Sequence, residues 1–322
     1  MEVGVNIRHQ NNTTYDDVRA GVLEAERLGI DAVFFPDHYV PTETVRTQDG
    51  RRGAADIESR TGPSDAWTLI AALVPQTTRL RFGTMMTSST FRYPGPLAVS
   101  VAQINVIGRG RVDLGIGTNW YEPEHRAFGI PFPPQRERYQ RLEEQLAIVT
   151  GLWNTPPDER FDVTGQHFSV EGGRGIPRPP GVPPPRIIIG GSGLKRTPRV
   201  AARFADECSS LARAPQDAAP FYDACALACE ELGRDPSTLR RSVMLRVCCG
   251  RDDADIDRQI SDAGLHRDQL NGVLVGGPRD LADSLRAWRD AGVDRVVLSS
   301  RGGVDVDNLR VLAEAIDLHA NN

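Results

Sequence analysis

Lysine is nearly missing from this chain. Of its 38 basic residues, 37 are arginine and one, Lys195, is lysine. The bias reads as the mark of a GC-rich genome rather than a structural demand, and it makes the place of the single lysine worth noting. Positive charge is not in excess either. Asp plus Glu number 43, the net charge is −5 and the isoelectric point is near 5.8. A domain that wraps a phosphate backbone is normally basic, so no nucleic-acid partner is expected. No apolar run reaches the roughly 18 residues that a membrane-spanning helix needs. The opening MEVGVNIRHQ has no basic stretch followed by an apolar core, so no secretory signal is expected and the cytoplasm is the expected location. There are only five cysteines, at 208, 225, 229, 248 and 249. An odd count in a large acidic chain argues against a disulfide framework. Cys225 and Cys229 stand one helical turn apart and are expected to face a helix-packing core. The six histidines show no ligand-like spacing, and no metal is expected.

What the chain does contain is a recurring unit: a short apolar run, a turn, then an amphipathic helix. This is the βα signature of a parallel sheet. Strands are expected over 3–7, 31–35, 80–86, 112–117, 186–189, 206–210, 242–249 and 294–298. Helices are expected over 15–28 (stopped by Gly29), 65–74 (with Ser64 as N-cap), 96–107, 135–152, 195–204, 216–232, 255–263, 281–291 and 306–319. Eight βα units in 322 residues point to a closed (β/α)₈ barrel in one domain, 1–322, rather than an open sheet. Two segments interrupt the alternation, 40–63 after the second strand and 156–185 after the fourth. The second opens with a hairpin over 161–170 that turns at Thr164-Gly165. Both segments are candidate walls of a substrate pocket.

Several familiar chemistries are missing. Gly115-Ile116-Gly117 follows a strand, but Trp120 stands where a dinucleotide fingerprint needs its last glycine. Gly190-Gly191-Ser192-Gly193 is not a nucleophile elbow, and no Walker sequence occurs. The local signals that remain all fall at strand ends, where a barrel builds its site. In IGGSGLKRTPR, residues 189–199, a strand runs into three glycines and a helix start, with Lys195, Arg196 and Arg199 adding charge. This suits an anion such as phosphate. Asp37 and His38 follow the second strand, and a histidine there can exchange protons near neutral pH. Thr87, Ser88, Ser89 and Thr90 offer hydroxyls after the third strand. Two aromatics, two glutamates and His125 crowd the segment after the fourth, and such density suits a planar cofactor.

The stretches PDHY, GTMMTSSTFRYP, GTNWYEPEHRAFGIPFPP, RLEEQLAIVTGLW and IIIGGSG together resemble the luciferase-like monooxygenase superfamily, and within it the deazaflavin-dependent oxidoreductases. The resemblance is strongest over 64–153 and 183–210, weaker near 276–298, and poor in the two long segments. It implies a TIM-type barrel, a homodimer, and coenzyme F420 held at the C-terminal face. It implies a non-proline cis peptide at Met85-Met86 behind the cofactor ring, a hydroxyl contact from Ser88, and a phosphate loop formed by Gly190, Gly191, Ser192, Gly193 and Lys195. Asn119 belongs to the same cofactor set. Where some relatives carry a catalytic glutamate, Asn119 and Trp120 stand here, so a sugar-phosphate dehydrogenase is not the expectation. The implied reaction is hydride exchange with a small organic substrate, with His38, steadied by Asp37, as proton partner. Two other readings stay open: an FMN-dependent monooxygenase fed by a reductase, and a flavin-binding barrel without catalysis.

Overall fold

A computed structural model describes residues 1–10, 13–42, 44–46, 52–54, 64–262, 265–267, 270, 272–300 and 305–320. Most of the 40–63 segment therefore lies outside the described residues. In chain order the strands are β1 (Glu2–Asn6), β2 (Ala32–Phe35), β3 (Thr44–Arg46), β4 (Arg52–Ala54), β5 (Arg81–Thr84), β6 (Thr87–Ser88), β7 (Val112–Gly117), β8 (Arg160–Thr164), β9 (Ser169–Arg174), β10 (Arg186–Gly190), β11 (Glu207–Ser210), β12 (Arg240–Cys249), β13 (Val273–Gly276) and β14 (Arg295–Ser299). The helices are α1 (Tyr15–Arg27), α2 (Ala66–Leu73), α3 (Pro94–Ile107), α4 (Glu122–Ala127), α5 (Gln135–Asn154), α6 (Arg196–Phe204), α7 (Pro215–Glu231), α8 (Asp253–Asp262), α9 (Pro278–Asp290) and α10 (Val306–Ala320).

Eight strands close a ring. β1, β2, β5, β7, β10, β11, β12 and β14 each run parallel to the next, and β14 returns to β1 with Val3 opposite Val296. These are the eight strands that the sequence pattern predicts. Strand alternation explains why the runs are apolar on both faces. Val33 and Phe35 belong to the large core under the helices, while Ala32 and Phe34 meet Met85, Ile188 and Val297 inside the barrel. Helix α1 shows how one unit is made. Thr14 and Asp17 form a reciprocal capping box at its start, Val18, Val22 and Ala25 face the barrel, and Gly29 takes a left-handed φ of 81° to turn the chain into β2.

The structure departs from the sequence reading in several places. Asp65, not Ser64, caps α2, accepting from the Thr68 N–H at 2.7 Å; the Ser64 hydroxyl is engaged by His9 instead. A short strand not anticipated, β13, pairs with the upper half of β12. It is four residues long and half-buried, too brief for a periodic signal. Helix α4 rises inside the segment after β7. The hairpin β8–β9 forms, but it follows α5 and packs on that helix's flank. The backbone N–H groups of Gln166, His167 and Phe168 donate to Glu144, and Gly151 admits the Phe161 ring. It is an αβ connection rather than a βα loop, so the expectation that 156–185 covers the substrate is not met by this packing. No helix among the described residues is long and apolar enough to cross a membrane.

Candidate active site

Every residue singled out at a strand end lies at the C-terminal mouth of the barrel. Asp37 and His38 follow β2, Met85 and Met86 follow β5, Ser88 is on β6, and Asn119 follows β7. Gly190 through Lys195 join β10 to α6.

The two members of the PDHY pair have different partners. Asp37 is fully buried, and its carboxylate accepts from the Arg92 guanidinium at 2.5 Å. Arg92 also reaches the α2 cap, Asp65. Burial pushes the Asp37 carboxyl above its usual range despite the arginine beside it. Asp65, less buried, is held below that range because Arg92 and the Thr68 N–H outweigh its desolvation. Asp37 thus ties the loop after β2 to the loop after β5. It does not steady His38. That role falls to Glu124 on α4, whose Oε2 is 2.7 Å from His38 Nδ1. Glu124 is fully buried, and its other oxygen accepts from the backbone N–H groups of Tyr39 and Val40. One carboxylate therefore grips the whole 38–40 turn. Nδ1 is engaged by the carboxylate, and the His38 side chain keeps 14% of its surface exposed.

A second layer holds that turn from below. His9, at the end of β1, has Nε2 2.9 Å from the Pro36 carbonyl and Nδ1 2.9 Å from the Ser64 hydroxyl. Gln10 donates to the carbonyls of Pro36 and His38 at 2.9 and 2.7 Å. Burial pushes the His9 imidazole down to about 4, so it is neutral near pH 7.

The Met85-Met86 peptide is cis, as the family resemblance implies. The bulge lies against β7, where only a glycine fits. A Cβ on Gly115 would stand 2.0 Å from the Thr84 carbonyl oxygen and 2.7 Å from the Met86 sulfur. The far end of Met86 reaches across to Gly190. Ser88 is buried, and its hydroxyl meets Thr90 Oγ1 at 2.6 Å, which meets His125 Nε2 at 2.6 Å. Asn119 adopts a left-handed φ of 59°, and its Oδ1 accepts from the N–H groups of Trp120 and Tyr121. Its Nδ2 has no partner among the described residues, and neither does the buried Ser89 hydroxyl. Tyr39, Phe91, Phe128, His125 and Phe132 form a chain of ring contacts beside them.

In the glycine segment, the Gly191 N–H is already spent on the Ser209 carbonyl at 3.1 Å, so it is not among the amides open to an anion. Ser192, Gly193 and Lys195 are exposed, and α6 starts after Lys195 with no side-chain cap on its N–H groups. Those amides and the adjacent cations are open to an anion.

Sequence reasoning missed Glu124 as the histidine's partner. It noted two glutamates in the segment. Only the helical turn of α4 decides that Glu122 faces out and Glu124 faces in.

The family model described as luciferase-like monooxygenase matches residues 1–273. The chain belongs to the luciferase-like monooxygenase family. Among curated members, it is 36% identical over 187 residues to an F420-dependent glucose-6-phosphate dehydrogenase of Microbacterium testaceum, covering 58% of this chain and 49% of that one. It is 30% identical over 253 residues to an F420-dependent hydroxymycolic acid dehydrogenase of Mycobacterium tuberculosis, covering 78% and 64%. The chain thus spans about half the length of the first of these relatives. Among solved structures, an F420-dependent secondary alcohol dehydrogenase in complex with an F420-acetone adduct superposes with a TM-score of 0.81 at 18% identity, covering 99% and 98% of the two chains. An EDTA monooxygenase from Chelativorans superposes at 0.76 and 18%, covering 100% and 94%. These likenesses bear on the fold.

Proposed function

We propose that this family member is a coenzyme F420-dependent oxidoreductase that exchanges a hydride with a small organic substrate. The observation that carries the reading is the His38–Glu124 pair, set at the same barrel mouth as the Met85-Met86 bulge. The relatives of known cofactor use support it. So do the residues present: the unmet Ser89 hydroxyl and Asn119 amide, the aromatic chain, and the open amides and cations at the start of α6 suit a planar ring with polar edges and a phosphate. Met85, Met86, Ser88 and Asn119 would hold the ring, and Gly190, Ser192, Gly193 and Lys195 the phosphate. The Gly191 N–H, held by the Ser209 carbonyl, is not among the donors. Coenzyme F420 supplies the two-electron chemistry when bound.

The protein's own part is proton transfer and orientation. Glu124 orients the His38 ring, so Nε2 can take a proton from a substrate hydroxyl or return one. Arg92, Asp37 and Asp65 keep the two loops in register. Trp120, half exposed in the loop after β7, is a candidate wall of the substrate space. We further propose that 1–322 works as one domain and assembles as a homodimer. Support for the dimer is the exposure of Val99 and Ile107 on helix α3.

Titration of the purified protein with oxidised coenzyme F420 and, separately, with FMN tests the reading through ligand fluorescence. Tight binding of F420 and weak binding of FMN is expected. A preference for FMN overturns it in favour of the oxygenase chemistry.

A further inference from the structure

A buried hydrogen-bonded chain joins the loop after β7 to the loop after β5, and its polarity is fixed at one end. The His125 Nδ1 lies 2.9 Å from the Tyr121 carbonyl oxygen. A carbonyl only accepts, so Nδ1 carries the hydrogen. In a neutral imidazole the other nitrogen then has none. Nε2 must accept, and the Thr90 hydroxyl, 2.6 Å away, must donate to it. Thr90 Oγ1 has spent its hydrogen, so the Ser88 hydroxyl, 2.6 Å away, must donate to Thr90. Ser88 Oγ also takes the Thr90 N–H at 3.3 Å. A serine oxygen has one hydrogen and two lone pairs. What remains to Ser88 is one lone pair.

We propose that His125 is a positioning residue that makes Ser88 a pure hydrogen-bond acceptor, so that the bound molecule must present an N–H or O–H to it. This rests on the reading that Ser88 meets the cofactor. The matching chemical class is then an imide or amide N–H on the cofactor ring, and a bare carbonyl edge is refused at this position. Two features keep the polarity from reversing. The His125 ring is fully buried between Phe91 and Phe132, at centroid distances of 5.1 and 4.6 Å, which holds it against a flip. Burial also pushes its pKa below the ordinary histidine value, ahead of the repulsion from Arg138 and His38 and against the pull of Glu124. The imidazole therefore stays neutral near pH 7.

Two measurements on the full chain test this. Long-range proton–nitrogen spectra of histidine-labelled protein, assigned with a His125→Gln sample, read the tautomer without any ligand. A hydrogen on Nδ1 at pH 7 is expected; a hydrogen on Nε2, or an imidazolium, overturns the polarity. Fluorescence titration with oxidised coenzyme F420 then reads the consequence. Ser88→Ala and Thr90→Val should each weaken binding about three- to tenfold, the worth of one neutral hydrogen bond. His125→Phe should do the same, whereas His125→Gln, which still offers Thr90 an acceptor, should bind like the parent. Urea denaturation of each variant separates a folding defect from a binding one. Equal affinity for His125→Phe and His125→Gln, both folded, overturns the positioning role. Parent affinity in Ser88→Ala overturns the contact. Failure of the parent itself to bind F420 instead removes the cofactor reading on which the proposal stands.

Discussion

The two ends of this barrel both bury charge, and they handle it differently. At the N-terminal end, Arg81, Arg240 and Arg295 face Glu2, Asp113 and Glu207. Arg295 is fully buried and stands 2.7 Å from Glu2, 3.0 Å from Glu207 and 3.3 Å from Asp113, while Arg81 pairs with Asp113. Burial raises the Glu207 carboxyl, yet the surrounding acids lift the Arg295 guanidinium in turn. The charges there answer one another. At the C-terminal end several groups are satisfied on one side only. Glu124 holds His38 but leaves its Nε2, Asn119 spends its oxygen but not its nitrogen, and Ser89 lacks a partner among the described residues. Paired charge at one end and half-satisfied groups at the other suit the first as scaffold and the second as the proposed site.

The comparison can be broken from either end. The largest effect expected is on chemistry. His38→Ala should lower turnover of the F420-loaded enzyme by about 10²–10⁴-fold, the usual worth of a general acid or base, with F420 affinity and the urea midpoint near those of the parent. Undiminished steady-state turnover would remove His38 from the reaction. At the other end, Arg295→Met strands the buried Glu207 and leaves Asp113 with Arg81 alone, and should cost about 3–5 kcal/mol of folding stability without changing the F420 affinity of the folded fraction. A cost below about 1 kcal/mol in urea melts would mean that the network behaves like exposed ion pairs.

A pH titration sharpens the contrast at the mouth. His9 titrates near 4 in the fold against 6.5 when unfolded. Between those values the unfolded chain binds more protons, so stability falls as the pH drops from 6.5 toward 4. The loss is on the order of 3 kcal/mol. His9→Asn should be less stable at pH 7 and lose less over that window; urea midpoints that track the parent's at every pH contradict the assignment. The smallest effect expected is from Gly115→Ala. Its Cβ would press on the Thr84 carbonyl, and about 1–3 kcal/mol of overpacking strain is expected, together with weaker F420 binding, because the strained segment is the one that carries Met85 and Met86.

Much of this was legible in the chain. The eight strands follow from short apolar runs spaced by amphipathic helices, a pattern that repeats too regularly to suit an open sheet. The glycine segment at 190–193 and the PDHY turn stood out because unusual residue types gathered at strand ends. The hairpin at 161–170 was readable from its alternation and its Thr164-Gly165 turn, but not its placement. Nothing local says whether a hairpin covers the mouth or lies along α5; that is set by Glu144 collecting three of its backbone N–H groups.

By itself, then, the sequence determined the barrel, the strand ends at which its chemistry gathers, and the histidine to watch. It did not determine which acid serves that histidine. Asp37 is adjacent in the chain, but neighbours in an extended segment point to opposite sides, and here one turns to Arg92 and the other to the mouth. Glu124 is 86 residues away along the chain and arrives only because α4 comes against the turn at 38–40. A carboxylate buried there gains from the His38 ring and the Tyr39 and Val40 amides at once, a set of partners that exists only after the barrel has closed.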